Sequence, residues 1–134
     1  MTEPGFAPPT SGLGLWVRLA AASGFLGVAA GAFAAHGMTD PRAQELLRTG
    51  ATYELAHALA ALLAAVLAGL GAARARWAAG LFLAGSVLFS GSLYALAFGA
   101  PRLTGVVTPV GGLCFLAGWA LLAWAAGGLR QAAA

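Results

Sequence analysis

The sequence predicts an all-α integral membrane protein: a bundle of four transmembrane helices running up-down-up-down, with a short amphipathic helix in the interface between helices 1 and 2. Three observations lead there. Of 134 residues, 60% are apolar and 8% charged, against about 25% charged in soluble domains, so polar groups are too few to coat a water-facing globule. Four apolar stretches, at 14–35, 52–73, 77–98 and 105–127, each approach the ~20 residues a helix needs to cross the hydrocarbon core. Within them Ala and Leu dominate, β-branched residues are few and two-residue alternation is missing, which argues against strands.

The leading segment MTEPGFAPPTSGLG carries three prolines and three glycines in a polar setting, so residues 1–13 are read as a flexible tail before a single domain at 14–127. In the first span Arg18 precedes an apolar run ending in AFAA, a signal-like pattern. The run is longer than a signal core and three spans follow, so it is expected to be retained. Next comes HGMTDPRAQELLRTG, residues 36–50. Here Thr39 or Asp40 caps a helix with Pro41 at its first position. Ala43, Leu46, Leu47 and Ala51 then share one face, which predicts a short helix lying in the interface and ending near Thr49 and Gly50.

The remaining connections, ARAR at 73–76 and GAPRLT at 99–104, are short enough to require antiparallel neighbours. Residues 128–134 form a short C-terminal tail. Arg18, Arg74, Arg76 and Arg130 fall on the side of the termini and Arg42, Arg48 and Arg102 on the other, a bias that sets both termini in the cytoplasm. Trp16, Trp77 and Trp124 lie at span ends as interface anchors, while Trp119 is deeper and packs. The net charge of +3 comes from seven scattered Arg with no Lys, which excludes the concentrated basic face that nucleic acid requires. Cys114, the single cysteine, is read as a small buried hydrophobe.

Close packing at small residues must help hold helices together in lipid. Gly24, Gly27 and Gly31 in the first span, Gly85 and Gly91 (with Ser86 and Ser90) in the third, and Gly111, Gly112 and Gly118 in the fourth are the candidate seams. Their expected use is intramolecular, with self-association left open.

This topology gathers His36, Tyr53, Glu54, His57, Ser90, Ser92, Tyr94, Thr104 and Thr108 into one half of the bilayer. His57 follows Glu54 by three residues and Tyr53 by four, so its ring reaches either. Counted from residue 52, His57 lies ~7–8 Å into its helix. At so shallow a depth, snorkelling relieves much of the ~2.5–3.5 kcal/mol that a charge costs at the bilayer centre. Two readings stand. In one, Tyr53 and Glu54 meet the headgroups and His57 donates a hydrogen bond to a neighbouring helix near Ser90 or Ser92. In the other, His36, Glu54 and His57 line a water-accessible pocket that exchanges protons or binds a small polar ligand. His36 and His57 lie near the same interface with Glu54, yet no metal site is expected, because HxxxH, HExxH and Cys/His spacings are missing, and two histidines whose facing and depth the sequence does not fix do not define a haem or other cofactor site.

The segments AHG (35–37), TGATYELAHAL (49–59), LFSGSLYAL (88–96) and TPVGGLCFLAGWALL (108–122) resemble the YgdD/YwdK-type family of small multi-pass bacterial membrane proteins, over about residues 15–125. The resemblance implies an inner-membrane location and carries no established activity. It also implies a Tyr-Gln pair where this chain has Tyr53 and Glu54. That departure shifts weight from Glu54 as a proton carrier towards His36, His57 and the Ser90 to Tyr94 segment.

Three functional readings follow. The first is a non-enzymatic structural, assembly or partner-binding component, whose partners are the lipid bilayer and a membrane-protein partner or homo-oligomer. The second is a small proton-coupled transporter or ligand-binding protein using the cluster around His36, Glu54 and His57. The third, a membrane enzyme, lacks any nucleophile, metal or phosphate motif.

Overall fold

A computed structural model describes residues 12–129 as an all-helical chain with no strand among them. The N-terminal tail expected at 1–13 and the C-terminal tail expected at 128–134, Arg130 included, lie almost wholly outside the described residues. Four helices are long and apolar enough to cross a membrane: α1 (Leu13–His36), α2 (Pro41–Gly69), α3 (Ala75–Ala97) and α4 (Arg102–Gly128). Inside α3, Ser86–Ser90 forms one π-helical turn, and α4 opens with a tight 3₁₀ turn at Arg102–Val106.

The helix ends follow from local chemistry. Asp40 accepts the Ala43 N–H at 2.8 Å and Pro41 takes the first helical position, so one orphan donor is capped and another is absent. The Gln44 side chain donates to the Ala34 carbonyl at 2.8 Å, which satisfies the end of α1 from the start of α2. The turns after α2 and α3 use Gly71 and Gly99 at φ 113° and 94°, a region where a Cβ is strained.

One expected element is absent as a separate unit. The amphipathic helix predicted to stop near Gly50 instead runs without a break into the second span, as a helix of 29 residues. Its apolar face is the beginning of a buried stripe: Ala43, Leu47 and Ala51 are buried, and Glu54, His57, Ala58, Ala61 and Ala65 continue it. Gly50 does not end the helix, because its bare Cα is covered by the Tyr94 ring. A Cβ there would lie 2.5 Å from Tyr94 Cε1.

α1 packs along α2 with the chain order reversed: Gly31 faces Ala51, Gly27 faces Leu55, Gly24 faces Ala58, and Gly69 meets Leu13. The same reversal relates α3 to α4. A Cβ on Gly85 would lie 2.5 Å from the Phe115 ring and one on Gly118 2.7 Å from the Phe82 ring, while one on Gly111 would collide with the Phe89 backbone. Around these contacts the core is built from alanines of α2 and α3 with Phe82, Phe115 and Leu122. By contrast, Gly91 has open space at its Cβ position and Gly112 reaches only the Phe89 ring edge, at 3.9 Å.

Large apolar side chains face outward along the flanks, among them Phe25, Val28, Leu59, Leu113 and Leu116. This coat is the reverse of what water selects and matches hydrocarbon. At one end of the bundle Arg74 lies over the Trp124 ring, 4.4 Å from its centroid, and Trp16 approaches Gly80.

Gly111 and Gly91 therefore predict opposite outcomes. Gly111→Ala forces two backbones apart and lowers stability by ~1–3 kcal/mol or more. Gly91→Ala, in open helical backbone, leaves stability unchanged or raises it by up to ~1 kcal/mol. Melting of the two purified variants in one detergent checks both.

Candidate functional site

The polar side chains meet where α1, α2 and α3 converge. Glu54, 5% exposed, accepts from Ser23 Oγ on α1 at 3.1 Å through Oε1, and from the Tyr94 hydroxyl on α3 at 2.6 Å through Oε2. Tyr94 reaches it by lying along α2, its ring over Gly50 and its hydroxyl one turn further on. Ser90 Oγ donates to the Gly50 carbonyl at 2.7 Å, from the same side. One carboxylate thus ties three helices.

His57 occupies an aromatic box one turn on. Its ring stacks on Phe115 with centroids 3.5 Å apart and planes 10° from parallel, and Tyr53, Phe82 and Trp119 stand around it at 5.7–6.1 Å. Its hydrogen bonds determine its protonation. The Trp119 indole nitrogen is 3.2 Å from Nε2, and an indole N–H can only donate, so Nε2 accepts. Nδ1 is 2.7 Å from the Tyr53 carbonyl, which can only accept, so Nδ1 carries the hydrogen. His57 is therefore the neutral Nδ1–H tautomer, bonded within its own helix and to α4. The Ser90 or Ser92 region is not its partner.

The depth also differs from the sequence reading, which placed the cluster in the first turns of a span starting at residue 52. Because α2 begins at Pro41, Glu54 and His57 lie near its middle. They stand beside Ser23 and Gly24 near the middle of α1 and Phe115 near the middle of α4. The cluster is central along the bundle, and Glu54 is buried rather than turned towards headgroups.

Of the other expected residues, Ser92 donates to the Phe89 carbonyl at 2.8 Å and so accepts from Thr108 Oγ1 at 2.6 Å, linking α3 to α4. Tyr53 is 44% exposed and packs on Phe89. His36 stands apart, exposed at the end of α1. Among the described residues, no group of three or more His, Cys, Asp or Glu is placed to hold a metal ion. Four participants escaped the sequence reading: Ser23, Phe82, Phe115 and the donor role of Trp119. Their helical spacing is visible in retrospect, since Phe115 and Trp119 are one turn apart, as are Tyr53 and His57. Ser86, the first residue of the π-turn, is 3% exposed and its Oγ has no hydrogen-bond partner.

Nitrogen NMR of the folded protein at neutral pH is expected to show His57 protonated at Nδ1 alone. Trp119→Phe removes the donor to Nε2 and costs about 0.6 kcal/mol, the average for hydrogen bonds between membrane helices, and at most ~1.7 kcal/mol.

Residues 30–112 match the family described as Protein of unknown function (DUF423). A UPF0382 membrane protein of Haemophilus influenzae is 44% identical over 112 residues, covering 81% of this chain and 90% of that protein. The UPF0382 inner membrane protein YgdD of Escherichia coli is 46% identical over 113 residues, covering 77% of this chain and 82% of that protein. A UPF0382 membrane protein of Staphylococcus aureus is 36% identical over 111 residues, 81% of this chain and 91% of that protein. No solved structure matches the chain. The resemblance drawn from the four sequence segments therefore holds, and the chain belongs to the DUF423, or UPF0382, family of membrane proteins.

Proposed function

We propose that the chain is a small multi-pass protein of the bacterial inner membrane, acting as a non-enzymatic structural, assembly or partner-binding component. In this reading the four helices run up-down-up-down with both termini in the cytoplasm. The observation that carries it is the commitment of the central polar groups to one another: Glu54 to Ser23 and Tyr94, His57 to Trp119, Ser90 to the Gly50 carbonyl and Ser92 to Thr108. Polar side chains paired across helices fix register in a medium where apolar burial drives nothing. A nucleophile–base pair with an accessible reacting position, which catalysis needs, is not what this arrangement supplies.

The inner-membrane assignment is supported by the names of the relatives and by the outward apolar coat. The topology is supported by the reversed pairing of α1 with α2 and of α3 with α4. The orientation rests on the distribution of Arg. A proton-coupled transporter built on His36, Glu54 and His57 is less well supported, because His36 is exposed at a helix end while Glu54 and His57 are buried in separate hydrogen-bonded settings.

Three measurements test these readings. In a chain with Cys114→Ser, single cysteines replacing Thr39 and Ala100 are expected to react with an impermeant maleimide from the periplasmic side, and one replacing Ala73 only after permeabilisation. The reverse pattern overturns the orientation, and labelling of all three from one side overturns the topology. Glu54→Gln keeps an acceptor for Tyr94 and adds a donor to Ser23, so it is expected to melt within ~1 kcal/mol of the parent. Vesicles carrying the parent should dissipate an imposed pH gradient no faster than empty ones. Faster dissipation, abolished by Glu54→Gln, means that the carboxylate carries protons.

A further inference from the structure

The bundle is not closed between α1 and α3. α1 packs chiefly along α2, and the crevice it leaves against α3 has a volume of about 210 Å³. Leu19, Leu26 and Val87 wall it, while Ser23, Glu54 and Ser86 also line it. The wall residues are 44%, 56% and 72% exposed, so the crevice opens on the flank of the bundle, where the surface is apolar.

Two groups in this crevice are incompletely satisfied. Glu54 accepts two hydrogen bonds, both from neutral hydroxyls, whereas a carboxylate has about four acceptor positions and is stabilised by positive charge. No acid follows Glu54 in the chain. Ser86 is buried with its Oγ unpartnered, although a helical serine ordinarily bonds back to a carbonyl one turn earlier. An unmet buried hydroxyl calls for a partner, and this one sits at a π-turn, a helix distortion that recurs at functional sites.

We propose that this crevice binds a lipophilic ammonium ion entering from the bilayer, its hydrocarbon body against Leu19, Leu26 and Val87 and its N–H groups directed to Glu54 and Ser86. An ammonium offers three donors and a charge, which meets the free lone pairs of the carboxylate and the unpartnered hydroxyl together. A neutral alcohol brings no charge, an anion is repelled, and an acyl chain leaves both polar groups unmet. A metal ion finds one carboxylate among apolar walls, far short of a coordination shell. The size fits a single ring or a short alkyl chain, since an apolar cavity of ~150 Å³ takes up benzene. The site is additional to the structural network, because Glu54 keeps its bonds to Ser23 and Tyr94.

The test uses the full chain in lipid nanodiscs and fluorine NMR, with 4-(trifluoromethyl)benzylamine as the probe and the corresponding benzyl alcohol as its neutral match. Empty nanodiscs give the partition background. The amine is expected to bind saturably and the alcohol about tenfold or more weaker, as loss of a charged hydrogen bond implies. Glu54→Gln should weaken the amine by about the same factor and leave the alcohol unchanged. Val87→Trp, a change on the exposed mouth, should block the amine while the melting temperature holds. Equal binding of amine and alcohol, absence of saturable amine binding, or amine binding indifferent to both variants overturns the proposal. If Glu54→Gln fails to fold, the amine-to-alcohol ratio and Val87→Trp decide it.

Discussion

A carboxylate buried among apolar helices has to be held by donors, and in this protein Ser23 and Tyr94 are the donors that hold Glu54. Much of the bundle's geometry is arranged around that requirement. Ser23 brings α1 against α2 at the height where Gly24 and Gly27 permit close approach. Tyr94 reaches from α3 only because Gly50 has no side chain beneath its ring. Removing the small residue or the hydroxyl breaks the same link. The three helices are thus registered by hydrogen bonds, which are directional, in a medium where the non-directional burial of apolar surface contributes little between helices.

The pairing of α3 with α4 solves the same problem by shape. Gly85, Gly111 and Gly118 sit opposite Phe115, Phe89 and Phe82, so a ring or backbone of one helix fills the place where the other lacks a side chain. Phe115 and Phe82 also wall the box that holds His57. The imidazole, neutral and bonded at both nitrogens, is part of the packing on all sides, with Trp119 closing it from α4. Hydrogen bonding and aromatic packing therefore reinforce one another across α2, α3 and α4.

α1 is the least enclosed of the four, burying only Ala20, Ser23, Gly27 and Ala34, whereas α2 carries a continuous buried stripe. Its attachment runs along one face of α2 and through Ser23, which leaves a lateral crevice against α3 beside the carboxylate. The one-sided packing of that helix and the unpartnered Ser86 hydroxyl belong together: a helix packed on one neighbour leaves a polar group of the next neighbour unmet.

How much of this was legible beforehand depended on whether the controlling physics was local. Composition and span length are properties of contiguous residues, so four apolar helices, a cap at Thr39 or Asp40, the Pro41 start and the short turns could be read directly. Turn lengths brought Glu54, Ser90, Ser92 and Tyr94 to one half of the bilayer, but did not set the pairing of Glu54 with Tyr94, of Ser90 with the Gly50 carbonyl or of Ser92 with Thr108. The start of the second transmembrane helix could not be read, because Gly50 and Thr49 look like the stop of a separate, shorter helix until the Tyr94 ring is seen to cover the bare Cα. A span counted from residue 52 rather than Pro41 makes a central cluster look shallow. Ser23 and Ser86 carry no distinguishing sequence pattern, and whether such a hydroxyl is bonded or unmet depends on which helix lies opposite. By itself the sequence determined a four-helix membrane protein with a polar cluster on its second helix. Only the tertiary structure decided the depth of that cluster, its partners and the crevice beside it, because side-chain reach and interhelical register are non-local.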